Sequence, residues 1–131
     1  LVSGKEPRDI AEPVARTLIS PGGTKESFDK LVDSMSRLHK ESYIKSIEAS
    51  VNGDHEVFFE AIRHPTLVVV GAQDRLTPVS MAERIHRMVA GSELVVIEGA
   101  GHLSNIEQPE AFDRAVTGFL GRVEAGRAPA G

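Results

Sequence analysis

Two short aliphatic runs limit what this chain can become. Leu67-Val68-Val69-Val70 lies between Pro65 and Gly71, and Leu94-Val95-Val96-Ile97 lies between Gly91 and Gly99. Neither run alternates with polar residues, so both faces of each strand need cover, the pattern of parallel strands inside an α/β layer. The intervening segment predicts a helix with Thr77 as N-cap, Pro78 at its first position and Gly91 beyond its end. Its apolar face is Met81, Ile85, Met88 and Val89. Strand, helix and strand in that order make a βαβ unit with a right-handed crossover. A last helix opens at Pro109, continues through Phe112, Val116, Phe119 and Leu120, and is expected to stop at Gly121.

The residues before Pro65 read differently. Ile10 to Ile19 predicts a short helix with Asp9 as N-cap and Pro13 near its first turn, broken by Ser20-Pro21-Gly22-Gly23. Thr24 then caps a helix whose apolar positions Phe28, Leu31, Val32, Met35 and Leu38 keep the i, i+3, i+4, i+7 spacing. Tyr43 to Val51 predicts another, with Ile44, Ile47 and Val51 on one face, ended by Asn52-Gly53-Asp54. Val57, Phe58, Phe59 and Ile62 form a further apolar stretch.

Composition removes several classes of function. The chain has 131 residues and no cysteine, so it carries no disulfide framework, thiolate metal cluster or cysteine nucleophile. Fifteen basic against nineteen acidic side chains give a net charge of −4, which offers no attraction to nucleic acid. No apolar run approaches the roughly 20 residues of a membrane span. No leader follows Leu1, and the resulting expectation is a cytoplasmic protein. Two strands with apolar faces cannot bury their own surface. The expectation is therefore a dimer, a strand-exchanged oligomer, or pairing with strands outside these residues.

Ligands of open α/β sheets sit beyond the carboxyl ends of the strands. Asp74 follows the first strand in Gly71-Ala72-Gln73-Asp74, and His102 follows the second in Gly99-Ala100-Gly101-His102. Parallel neighbours lie roughly 4.8 Å apart, so the two side chains can meet on one rim. A carboxylate bonded to Nδ1–H orients an imidazole and leaves Nε2 for general-base work. Each residue taken singly has a plainer reading, Asp74 as a turn or capping residue and His102 as a solvated loop residue.

The stretch Pro65-Thr66-Leu67-Val68-Val69-Val70-Gly71-Ala72-Gln73-Asp74-Arg75-Leu76-Thr77-Pro78 resembles the penultimate strand and acid loop of the α/β-hydrolase fold. Glu98-Gly99-Ala100-Gly101-His102-Leu103-Ser104-Asn105-Ile106-Glu107-Gln108-Pro109-Glu110-Ala111-Phe112 resembles its histidine loop and last helix, and is similar to the 3-oxoadipate enol-lactonase-like group and neighbouring esterases. The resemblance implies an α/β class protein that is a partial α/β-hydrolase fold. It divides the chain into a helical cap over residues 1–60, the C-terminal part of the core over 61–121 as the last βαβα of a parallel sheet, and a disordered tail over 122–131. Leu1-Val2-Ser3-Gly4 then reads as the end of the strand before the cap, or as a remnant of expression. By the same resemblance Asp74 is the triad acid and His102 the triad base, acting on a small-molecule ester or lactone without metal or organic cofactor. Family relatives also cleave C–C bonds, epoxides and haloalkanes, so the bond stays open.

The departure is equally informative. The family's serine sits in a Gly-x-Ser-x-Gly elbow that precedes acid and histidine, and no such pentapeptide occurs here. The implied object is a C-terminal portion of a hydrolase, inactive alone because nucleophile and oxyanion hole are missing. The rival is a non-catalytic module that uses its strand edge to bind another chain.

Other residues carry less. Gly99-Ala100-Gly101-His102-Leu103-Ser104 imitates a dinucleotide fingerprint but lacks the following strand and ribose-binding acid. His39, His55, His64 and His86 have no metal-ligand spacing. Glu107 and Glu110 read as favourable charges at a helix start. Ser104 and Asn105 either line a pocket or cap the loop. Phe28, Met35, Tyr43, Phe58 and Phe59 read first as helix-packing core and second as a pocket roof.

Overall fold

A computed structural model describes residues 4–52 and 56–126. Leu1, Val2, Ser3, Gly53, Asp54, His55 and residues 127–131 lie outside that range, and with them most of the expected strand end and half of the expected tail.

The chain opens with α1 (Pro7–Leu18) and α2 (Lys25–Ser36), which pack on each other. Helix α1 begins three residues before the sequence expectation. Glu6 is its N-cap, and Asp9 closes a capping box from inside the helix, accepting a hydrogen bond from Glu6 N–H at 2.7 Å. Pro13 therefore lies within the helix rather than near its start. Thr24 caps α2 as expected, its hydroxyl oxygen accepting from Ser27 N–H at 3.1 Å. Ala11 and Ala15 let the two helices approach closely, and with Leu31 and Met35 they form a buried cluster flanked by Val14, Phe28, Val32 and Leu103. Phe28 and Met35 are thus packing residues, the plainer of their two readings.

Helix α3 (Lys40–Asn52) starts earlier than its apolar residues suggested, and Ile47 on it is exposed. The short α4 (Glu56–Phe59) leaves Phe58 exposed as well.

Strands β1 (Leu67–Gly71) and β2 (Glu93–Ile97) form a two-stranded parallel sheet, with Val69 opposite Val95 and Val70 opposite Val96. Helix α5 (Val79–Met88) connects them and packs on both, with Ala82 and the C-capping Val89 buried and Met81 half exposed. Thr77 is not its cap: Pro78 occupies that position, and the Thr77 hydroxyl is engaged elsewhere. After α6 (Ser104–Glu107), helix α7 (Pro109–Glu124) also touches both strands, burying Phe119. It continues past Gly121 to Glu124, so residues 122–124 are helical rather than part of a tail. A glycine followed by Arg122, whose guanidinium pairs with Glu93 of β2, does not stop this helix.

The expected cover on both sheet faces is only partly present. Val70 is 6% exposed, whereas its register partner Val96 is 37% exposed.

Candidate active site

The two strands end on the same rim, and their loops are locked together there. Ala72 N–H donates to Ile97 O at 2.9 Å and Gln73 N–H to Ala100 O at 2.8 Å, which carries the pairing beyond the last strand residues. Gly71 is required at this crossing. A Cβ on it would lie 2.1 Å from Gly101 O and 2.5 Å from Ala100 O. Gly99 takes φ +71°, a left-handed turn that suits glycine.

This arrangement brings the two sequence-predicted residues together. His102 Nδ1 lies 2.9 Å from Asp74 Oδ2. The carboxylate is buried and well supplied with donors. Its Oδ1 accepts from the backbone N–H groups of Leu76 and Thr77, both at 2.9 Å. Its Oδ2 accepts from the Thr77 hydroxyl at 2.8 Å. Burial alone pushes the Asp74 carboxyl up. The hydrogen bonds from Thr77 N–H, His102, the Thr77 hydroxyl and Leu76 N–H outweigh it and hold the group below the ordinary carboxylate value. An ionised carboxylate only accepts hydrogen bonds, so Nδ1 carries the proton. The ring's Nε2 bonds none of the described residues, and the His102 side chain is 30% exposed. A buried anion that fixes the tautomer and an accessible Nε2 are the two features a general base needs.

The pair opens onto a cleft of about 280 Å³ along β1, lined by Val68 to Gly71, Met81, Ile85 and Ser104. Ser104 is therefore a lining residue, while Asn105 is exposed. A broader depression of about 640 Å³ over Arg16, Lys25, Phe28 and Arg75 reaches neither Asp74 nor His102, and two of its cations are already paired, Arg16 with Glu12 and Lys25 with Asp29.

Two residues of this region have roles the sequence reading missed. Thr77 lies between acid and base, its Oγ1 2.8 Å from Asp74 Oδ2 and 3.2 Å from His102 Nδ1. The signal was available: an Asp followed three residues later by Thr is an Asx-type turn. Glu107 is not merely a helix-start charge. Its carboxylate accepts from Gly101 N–H at 2.7 Å and from Ser20 N–H at 2.8 Å. No local pattern announces a contact with so distant a residue.

The imitation of a dinucleotide loop is also resolved. The N–H groups of Gly101 and His102 are taken by Glu107 and by Leu18 O, so they do not face a phosphate. His86 Nδ1 lies 2.8 Å from Ser92 Oγ. Among the described residues no cluster of metal-ligating side chains occurs, and no helix is long and apolar enough to cross a membrane.

Comparison with known proteins agrees with this geometry. A family model of the abhydrolases, described as TAP-like protein, matches residues 45–130. A 3-oxoadipate enol-lactonase from Acinetobacter baylyi is 34% identical over 116 residues, covering 86% of this chain and 43% of that protein. A 2-hydroxy-6-oxononadienedioate/2-hydroxy-6-oxononatrienedioate hydrolase from Escherichia coli is 35% identical over 88 residues, covering 66% of this chain and 31% of that protein. Among solved structures, a thermophilic esterase from Thermogutta terrifontis superposes with a TM-score of 0.85 at 28% identity, over 93% of this chain and 46% of that one. A hydrolase from Pseudomonas aeruginosa gives 0.82 at 28% identity, over 92% and 46%. The chain spans less than half the length of these relatives. With the fold, the strand-end loops and the matched family model in agreement, this chain belongs to the α/β-hydrolase family.

Proposed function

We propose that the complete protein hydrolyses a carboxylic ester or lactone, with His102 as general base, Asp74 as its orienting acid and a serine outside these 131 residues as nucleophile. The reading is carried by the 2.9 Å approach of His102 Nδ1 to Asp74 Oδ2 with Nε2 left open. In the proposed sequence the serine Oγ attacks the carbonyl carbon and its proton passes to His102 Nε2. Asp74 stabilises the imidazolium. Collapse of the tetrahedral adduct expels the alcohol, which takes that proton. Water, deprotonated by the same nitrogen, then releases the acid. The enol-lactonase and esterase among the relatives support this bond type. These residues alone are expected to turn over nothing.

The open edge of β1 belongs to the same proposal. A parallel pair with both faces apolar and Val96 exposed calls for further strands, and the proposed occupant is the remainder of the same full-length fold. A stable monomeric 131-residue chain with cooperative unfolding would count against it, whereas a strand-exchanged dimer of these residues alone would fit an edge that lacks its neighbour.

The decisive test is kinetic. In the product of the complete gene, His102→Ala and Asp74→Asn should each lower p-nitrophenyl ester turnover by roughly 10³-fold or more while leaving the circular dichroism spectrum unchanged. Turnover that survives His102→Ala ends the assignment. A second reading, hydrolysis of an unsaturated oxo-dioate of the kind named in the Escherichia coli relative, is favoured by the 35% identity to that hydrolase; offering both substrate types separates the two.

A further inference from the structure

The loop that carries His102 is held from outside the sheet, by the C-terminal end of α1 and the segment that follows it. His102 N–H donates to Leu18 O at 2.8 Å. Immediately before it, Gly101 N–H donates to Glu107 Oε2 at 2.7 Å, and the other oxygen of that carboxylate, Oε1, accepts from Ser20 N–H at 2.8 Å. The two successive peptide N–H groups that lead into the histidine are therefore pinned, one directly to the last residue of α1 and one, through Glu107, to the segment after it. The fit is close. A Cβ on Gly101 would lie 2.7 Å from Leu18 O, 2.8 Å from Ser20 N and 3.0 Å from Glu107 Oε2. Weaker contacts join the same two regions: Ser20 Oγ to Gly99 O at 3.5 Å and Ser27 Oγ to Ile106 O at 3.3 Å.

We infer that Glu107 is a positioning residue: its carboxylate clasps the loop after α1 to the histidine loop and so sets where the His102 ring stands relative to Asp74. The inference rests on the reading of His102 as the base. The chemistry of the clasp is specific. The two N–H donors bond different oxygens of the one side chain, and a carboxylate offers an acceptor on each side. An amide offers one oxygen and turns an NH₂ group towards the other N–H, so Glu107→Gln replaces one hydrogen bond with a donor facing a donor. A displacement of the ring by even 1 Å matters for proton transfer, because the Nδ1–H bond to Asp74 and the aim of Nε2 change together.

The test uses the product of the complete gene labelled with [¹⁵N]histidine. The wild-type protein should show His102 protonated at Nδ1, with a low-field proton that exchanges slowly with water, and Asp74→Asn should abolish that signal. Absence of the signal in the wild type overturns the Asp74–His102 pairing itself, and the inference with it. With the signal present, Glu107→Gln should speed exchange of that proton about tenfold or more and lower kcat with little change in KM. Gly101→Ala, which wedges the two segments apart through a different residue, should do the same. A folded Glu107→Gln protein with the slow Nδ1 proton and kcat retained overturns the inference. If Glu107→Gln does not fold, a folded Gly101→Ala protein with both properties intact overturns it instead.

Discussion

Thr77 donates its hydroxyl proton to Asp74 Oδ2 at 2.8 Å, the same oxygen that faces the His102 ring. Acid and base are thus joined by a third side chain, and Asp74 is also held by donors from its own loop, Leu76 N–H and Thr77 N–H. Thr77→Val removes the hydroxyl with little change of shape. Loss of a hydrogen bond to a charged group of this kind costs about 1–2 kcal/mol. Urea unfolding should show that loss, and ester turnover should fall far less than in Asp74→Asn.

The lowered pKa of Asp74 makes stability depend on pH in acid conditions. The carboxyl ionises more easily in the folded chain than in the unfolded one, where its pKa is about 3.9. The stabilisation is fully present above that unfolded value and is lost as pH falls through the lower folded value. Wild type should therefore exceed Asp74→Asn in urea midpoint at about pH 7. The gap should narrow steadily below about pH 4. A gap independent of pH would contradict the hydrogen-bonded, ionised carboxylate.

Gly71 offers a structural test of the rim. A Cβ placed 2.1 Å from Gly101 O has no flexible side chain to push aside, only backbone. Gly71→Ala should cost about 2–3 kcal/mol, in the range of overpacking, and should separate the two loops. A thermal unfolding midpoint equal to that of wild type would show that the crossing is looser than described.

The two ends of α5 give a contrast. Val89 is 1% exposed and Met81 is 50% exposed. Val89→Ala should lose about 2 kcal/mol through lost burial and the cavity left behind. Met81→Ala should stay within about 0.5 kcal/mol of wild type. Equal effects, read by denaturant titration, would mean that α5 packs by another face.

Much of this arrangement was legible in the residues themselves. Leu67 to Val70 and Leu94 to Ile97 declared parallel strands because they lack alternation, and the structure pairs them in parallel, although most of their residues are only half-buried. Asp74 and His102 were legible because parallel strands send their following loops to one rim, so chain order became spatial proximity. Thr24 announced its helix by local chemistry that the structure reproduces. What stayed hidden has a common physical cause. Thr77 had two local roles open to it, and the buried carboxylate outcompeted the helix end for its hydroxyl. Met81 kept helical spacing with Ile85 and lines the same cleft, yet is half exposed, since spacing alone does not say how much of a stripe the neighbouring strands will cover. Glu107 and Ser20 meet only after the fold has closed, and nothing in either neighbourhood encodes the other.

The gap between Asp74 and His102 is spanned across the sheet, not along the chain. Insertions should therefore be judged by where they fall. An additional residue among Ala90, Gly91 and Ser92 lengthens the route from one side chain to the other and leaves their separation as it was. One added between Ala72 and Asp74 turns the carboxylate off the imidazole while scarcely altering that route. Descendants of this chain can thus vary in length behind the sheet far more freely than along the few residues in front of it.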